Sequence, residues 1–275
     1  MSVKGSFKLK GRDTKIAAAL YNVRDYSRTA IDLDQTLRKI SAIGFKTVQI
    51  SGIGPIPPVE LKALLDKHGL YACSTHESLN GYRHHFDEIV EKLERLGCTL
   101  TTLGYPGDEY WVPGGAAKLA LELNEIGRQF NSCGIRFGYH NHDVEFTRFE
   151  GTTFLQALFD RTDPEYVCFE IDTHWVQRGG GNPAAWIRKA KGRIPVLHIK
   201  DYAIVDRKPQ FAEIGEGNLD WEDIFSAGEE AGVRWYVVEQ DNPLGERDIF
   251  ESLKISYDNL KGAPKNPIFF AKQKI

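Results

Sequence analysis

Eight times along this chain a short apolar run precedes a segment with helical spacing, and that rhythm leaves few architectures open. Strands are predicted at Lys15–Tyr21, Thr47–Ile50, Tyr71–Thr75, Thr99–Leu103, Ile135–Asn141, Tyr166–Ile171, Val196–Ile199 and Trp235–Glu239. Helices are predicted between them at Leu33–Ile43, Pro58–His68, Phe86–Leu96, Ala116–Cys133, Thr152–Phe159, Pro183–Lys189 and Trp221–Ala231, with a last one at Glu246–Leu260. Leu33, Leu37, Ile40 and Ile43 show the helical period, and Gly44, Gly69, Gly97 and Gly134 punctuate the first four helices. Thr152 and Asp220 read as helix caps. Parallel strands need a crossover each, usually a helix. Eight such units in 275 residues match an α/β fold of the (β/α)8 TIM-barrel type. A single domain over 1–275 is expected, with the barrel at about 15–261 and a C-terminal tail at 262–275. The rival, a doubly wound open sheet, loses support because no G-x-G-x-x-G follows the first strand.

Composition narrows the partners. The formal net charge is -3 with no dense basic stripe, which disfavours nucleic acid. No apolar run reaches membrane-spanning length, and the N-terminal segment lacks the apolar stretch of a signal peptide. Cys73, Cys98, Cys133 and Cys168 are widely spaced and form no C-x-x-C pair, which favours reduced thiols and a cytoplasmic protein. Whether the chain forms a homo-oligomer is left open.

The chemistry lies at the ends of the later strands. Each run is apolar first and ionisable last: Ile135 to Asp143, Val167 to Asp172, Ile194 to Asp201 and Trp235 to Asp241. Alternate strand residues share a face, so His140 with His142, Glu170 with Asp172, His198 with Lys200, and Glu239 with Asp241 can point into one barrel mouth. Isolated buried ionisable groups are costly, so several together imply a partner. Carboxylates with a few imidazoles suit a divalent metal, Mn2+ foremost, with Mg2+, Co2+ or Zn2+ compatible. A charge network without metal is the alternative.

The chain resembles the sugar phosphate isomerase/epimerase family with the xylose-isomerase-like TIM barrel, above all the branch carrying a Tyr-His-Asn-His motif. The resemblance rests on Ala19–Arg24, Leu37–Gln49, Tyr139–Phe146, Asp172–Trp175, His198–Asp201, Gly215–Gly217 and Val238–Asp241, in order along nearly the whole chain. It implies a four-ligand metal site with Asp172, His198 and Glu239 as three of the ligands. On strand five this chain has Tyr139-His140 where relatives place Glu, so Glu145, folding back over the mouth, is preferred over His140 as the fourth. Relatives often carry Glu where Gln49 stands, which puts a substrate contact or proton relay there in question.

The resemblance further implies an isomerase or epimerase acting on a keto-sugar or polyol derivative. A proton is removed beside a carbonyl and a metal stabilises the enediolate. His140 or His142 is expected as acid or base, with Glu239 sharing that role. His76, Trp175, Lys200 and Gln49 are expected to contact the substrate: His76 at a hydroxyl, Trp175 as an apolar wall, Lys200 at an oxyanion unless it merely pairs with Asp201. Tyr21 and Arg24 are candidates to line the mouth. Gly215–Gly217 reads as a lid edge or as a turn before the Asp220 cap. The first alternative is a dehydratase acting on an inosose-like or 3-keto sugar; the second is a sugar-binding barrel without catalysis. Endonuclease activity, found in related barrels, is disfavoured by the charge. The absence of an arginine–glycine phosphate loop favours a non-phosphorylated substrate.

Overall fold

The computed structural model describes residues 15–261. Eight parallel strands close into a barrel: β1 (Ile16–Ala19), β2 (Thr47–Ile50), β3 (Tyr71–Glu77), β4 (Leu100–Leu103), β5 (Arg136–His140), β6 (Val167–Asp172), β7 (Val196–Ile199) and β8 (Trp235–Val238). Neighbours pair in chain order, and β8 returns to β1 with Ile16 opposite Tyr236 and Ala18 opposite Val238. The barrel is therefore closed, as expected, and the open sheet is excluded. The predicted tail at 262–275 lies outside the described residues. Among the described residues, no helix is long and apolar enough to cross a membrane.

The surrounding helices are α1 (Ala30–Ile43), α2 (Pro58–Lys67), α3 (Leu79–His84), α4 (Phe86–Leu96), α5 (Gly115–Ser132), α6 (Phe154–Arg161), α7 (Thr173–Arg178), α8 (Pro183–Lys189), α9 (Trp221–Ala231) and α10 (Ile249–Leu260). Their ends follow local chemistry. Thr29 and Asp32 form a reciprocal capping box on α1, and Asp220 caps α9 by accepting from the Asp223 N–H at 3.0 Å. Gly97 ends α4 at φ 65°, a left-handed conformation that costs glycine least.

Two apolar bodies fill the fold. The larger one joins the outward faces of the strands to the helices, with Phe137, Tyr139, Phe169 and Ile171 packed towards residues such as Leu119, Leu123 and Phe130 of α5. The smaller one lies inside the barrel and contains Ala17, Ala19, Cys73, Leu100, Cys168, Val196 and Val237. Space there is tight: a Cβ on Gly138 would lie 2.8 Å from Cys168 Sγ and 2.9 Å from Thr102 Cγ2. Strand parity carries the same inward faces upward. Above Cys168 come Glu170 and Asp172, above Val196 come His198 and Lys200, and above Val237 come Glu239 and Asp241. Apolar floor and polar mouth are thus successive layers of the same strands. Cys73, Cys98 and Cys168 are buried free thiols, and Cys133 is a free thiol on the surface.

Some elements differ from expectation. Thr152 belongs to a two-residue strand, and the cap of α6 is Thr153, which accepts from the Gln156 N–H at 3.2 Å. The last helix begins at Ile249 rather than Glu246, behind the Asp248 cap. A hairpin of Asp201–Val205 and Lys208–Ala212 was not foreseen. Its tip places Asp206 and Arg207 at φ 50° and 63°, the two-residue turn that usually announces itself through Asn-Gly or Asp-Gly. The Gly215–Gly217 segment is a turn held in place. Asp201 accepts from the N–H groups of Gly215 at 2.9 Å, Gly217 at 3.1 Å and Leu219 at 3.3 Å, and from Trp221 Nε1 at 2.7 Å.

Candidate active site at the barrel mouth

The strand ends deliver two polar layers into one place. In the lower layer, Glu170 is fully buried yet surrounded by donors. It accepts from Gln49 Nε2 at 3.0 Å, Thr102 Oγ1 at 3.2 Å, His76 Nε2 at 2.6 Å and His198 Nε2 at 2.6 Å. Burial opposes its ionisation, but the adjacent His198 and His76 outweigh this and hold the carboxyl well below the usual range. His198 faces Glu239 on its other side, with Nδ1 3.1 Å from Oε2. Burial works against the imidazolium, yet Glu170 and Glu239 together raise it to about 10.

In the upper layer Lys200 Nζ is the hub. It lies 2.7 Å from Glu239 Oε2, 2.7 Å from Asp241 Oδ2 and 3.3 Å from Asp172 Oδ2, and stands 4.9 Å from the centre of the Trp175 ring. Its partners are therefore these three carboxylates, and Asp201 is engaged in the turn described above. Burial disfavours the ammonium, but those carboxylates raise its pKa further. Burial raises the Asp172 carboxyl, as does the neighbouring Glu239, against the pull of Lys200.

A donor set for a cation emerges from this geometry. His140, Asp172, His198 and Glu239 each offer one ligand atom, and these atoms all lie within 4.8 Å of one another. Asp172 Oδ1 caps α7 by accepting from the Trp175 N–H at 2.9 Å, while the buried Asp172 Oδ2 has the Lys200 ammonium at 3.3 Å and no well-formed hydrogen bond. His140 Nδ1 is buried 3.3 Å from Glu170 Oε1, likewise without a well-formed hydrogen bond. Burial, then His198, lowers the His140 pKa to about 4, which keeps the ring neutral, as a metal ligand must be. Two carboxylates, a neutral His140 ring and a His198 ring whose Nδ1 proton a cation can displace, converging at this spacing, fit a divalent ion. His76, His140, Glu170 and His198 form a second such cluster, but there Glu170 is already satisfied by hydrogen bonds.

Two expected residues lie elsewhere. Glu145 does not fold back over the mouth. Like Tyr139, it lies away from the inward face of β5, and its oxygens accept from Tyr139 Oη at 2.7 Å and the His142 N–H at 2.9 Å. His140, two positions from Gly138 on the inward face, takes the place beside Asp172, His198 and Glu239. Gln49 lies beneath the cavity rather than on its wall. It is fully buried, with Oε1 2.9 Å from His198 Nε2 and Nε2 2.9 Å from Ser74 Oγ.

Above the donors opens a cavity of about 480 Å³, lined by Tyr21, His76, His140, His142, Trp175, Lys200, Glu239 and Asp241 among others. Asp172 and His198 sit below its surface. His142 is nearly buried, and burial, with His140 and Lys200 next in effect, lowers its pKa well below the usual value. Its ring lies 5.5 Å from that of Trp175. Arg24 does not line this cavity; it stacks on Tyr21 at 4.4 Å and donates to the Asp241 carbonyl at 3.3 Å. Over Ser51, Gly52, His76 and Glu77 the cavity adjoins a second hollow of about 730 Å³. Glu170, Thr102 and Asp241 received no role from the sequence; for Glu170 the signal was its parity with Asp172.

Comparisons with known proteins agree with the architecture. The family model described as xylose isomerase-like TIM barrel matches residues 37–258. An inosose dehydratase of Lacticaseibacillus casei is 21% identical over 263 residues, covering 80% of this chain and 86% of that protein. A crystal structure of a sugar phosphate isomerase/epimerase from Parabacteroides distasonis superposes with a TM-score of 0.75 at 24% identity, covering 93% of this chain and 96% of the other. A D-allulose 3-epimerase from Methylomonas sp. gives a TM-score of 0.67 at 16% identity, with 90% and 96% coverage.

Proposed function

Because the chain belongs to the xylose isomerase-like TIM barrel family, we propose that it is a metal-dependent isomerase or epimerase of a keto-sugar or polyol derivative, working beside a carbonyl group. The observation that carries this reading is the convergence of His140, Asp172, His198 and Glu239 at the floor of a cavity of about 480 Å³ that His140 and Glu239 line. These four residues would hold the ion, with Mn2+ favoured for a mixed carboxylate–imidazole set. When bound, a divalent ion polarises carbonyl and hydroxyl oxygens and makes the neighbouring C–H more acidic. The protein's own groups do the rest. Trp175 offers an apolar face to the sugar ring, and Lys200, pinned by three carboxylates, places a fixed positive charge beside the oxygen that becomes anionic. His142, at the cavity wall and held neutral by burial, is placed to accept a proton, and Glu239 can share that role.

A dehydratase reading has its own support in the L. casei relative, which is named for that reaction. The two differ only in the fate of the carbanion: reprotonation gives an isomer, and loss of a β-hydroxyl gives an unsaturated ketone. Incubation with Mn2+ and a panel of non-phosphorylated keto-sugars and inososes in deuterated water separates them. Deuterium uptake beside the carbonyl without loss of water supports isomerisation or epimerisation. Loss of one water with a new ultraviolet band supports dehydration. Neither change, with Mn2+ bound stoichiometrically, would leave a sugar-binding barrel without catalysis.

A further inference from the structure

Glu170 belongs to neither the ion's four donors nor the cavity wall, yet Gln49, Thr102, His76 and His198 all converge on its carboxylate. One of its oxygens, Oε1, lies 2.6 Å from Nε2 of His76 and 2.6 Å from Nε2 of His198, with His140 Nδ1 farther off at 3.3 Å. The two rings are stacked, with centroids 5.5 Å apart and planes 7° apart, so they approach that oxygen in similar orientation. A carboxylate oxygen only accepts, and a single carboxylic proton could satisfy only one of the two rings. Glu170 as a carboxylate has no proton to give, so both Nε2 atoms carry hydrogen.

Gln49 gives an independent reading of the same proton. Its amide touches Glu170 Oε2 at 3.0 Å and Ser74 Oγ at 2.9 Å through one terminal atom, and His198 Nε2 at 2.9 Å through the other. Turning the amide over would set oxygen against the Glu170 carboxylate and NH2 against the His198 N–H. In the orientation that satisfies both contacts, Gln49 Oε1 accepts from His198 Nε2.

We propose that Glu170 is a positioning residue that holds the Nε2 protons of His76 and His198, and so leaves Nδ1 of His198 as the nitrogen that gives up its proton to the ion and turns Nδ1 of His76 to the cavity. For His198, Nδ1 faces Glu239 Oε2 at 3.1 Å and Asp172 Oδ2 at 3.9 Å, so once the Nδ1 proton is displaced three acceptors converge where a cation belongs. For His76, Nδ1 lies at the cavity wall beside Gly104, where even a Cβ would stand only 3.2 Å from it, and there it can accept from a sugar hydroxyl. Carboxylates that fix the tautomer of a ligating histidine recur in metal sites and affect metal affinity about 10- to 100-fold. Here one carboxylate serves a ligand and a substrate contact at once. The proposal rests on the metal-site reading above and not on the identity of the reaction.

The direct test is histidine side-chain nitrogen NMR on the unaltered full chain loaded with Zn2+, a diamagnetic ion. His76 and His198, assigned by single substitutions, should both show hydrogen on Nε2, with His198 Nδ1 carrying the signature of metal ligation. A proton on Nδ1 of neutral His76, or zinc on Nε2 of His198, would overturn the proposal. In a second experiment, Glu170→Gln sets an NH2 group among donors, and Mn2+ affinity measured by calorimetry should fall about 10- to 100-fold. Unchanged affinity would overturn it equally. Because the NMR measurement uses the native chain, it decides even if Glu170→Gln does not fold. Correct tautomers without turnover of any keto-sugar would count against the proposed reaction and leave this inference standing.

Discussion

The two halves of the barrel mouth are built from different chemistry. β1 to β4 contribute Ala19, Gln49, Ser74 and Thr102, all uncharged, with His76 at the boundary, whereas β5 to β8 contribute His140, Glu170, Asp172, His198, Lys200, Glu239 and Asp241. The neutral half is nonetheless not passive. Gln49 and Thr102 reach across the barrel to donate to Glu170. The charged half thus keeps a fully buried carboxylate because the neutral half supplies hydrogen bonds that water would otherwise provide. The lesson is that a polar barrel interior needs a solvating side as well as a reacting side.

Breaking the charged half should have the largest effects. Asp172→Ala removes a carboxylate from the four donors, and Mn2+ affinity, read from bound metal by plasma mass spectrometry, should fall by more than about a hundredfold, with turnover lost. His140→Ala should do nearly the same; retained metal with lost turnover would move His140 from ligand to acid or base. Next comes Lys200→Met, which leaves Asp172, Glu239 and Asp241 buried without their ammonium. Urea denaturation in chelator should show a loss of about 3 to 5 kcal/mol, narrowing when Mn2+ is added. An equal loss with and without Mn2+ would show that the carboxylates do not share a cation site.

Glu145 tests the face outside both halves. Burial raises its carboxyl to about 7, against hydrogen bonds from Tyr139 and the His142 N–H. A folded-state pKa above the unfolded value means that the native chain binds more protons between about pH 4.5 and 7. Its contribution is thus fully present below that window and is lost as pH rises through it, in total about 3 kcal/mol. In Glu145→Gln this decline should vanish, so stability curves of the two proteins should diverge with rising pH. Parallel curves would contradict the buried placement. The smallest effect is expected in the neutral half: Thr102→Val removes one of several donors to Glu170 and should cost about 1 kcal/mol with Mn2+ affinity nearly unchanged.

Much of the site was legible because strand geometry is periodic. Once β6, β7 and β8 were recognised, parity alone aligned Asp172, His198 and Glu239 on inward faces, and the structure brings them together. Parity fails where the strand ends. Glu145 lies five residues past β5's last residue, in a short turn of helix at Val144–Phe146, and no period indicates which way such a turn faces. Gln49 shows a different limit. Its inward direction was readable, but its depth beneath the cavity depends on the register across three strands.

The amino-acid order by itself determined the alternation of strand and helix, the closure of eight units and the apolar-then-ionisable layering, because each follows from local period and composition. Only the folded chain decided that His140 rather than Glu145 joins the donors, that Lys200 answers to three carboxylates rather than Asp201, and that Glu170 gathers three imidazoles. Those outcomes depend on distances between strands far apart in sequence, as with the 94 residues between His76 and Glu170, where a shift of one position would reverse which face a side chain presents.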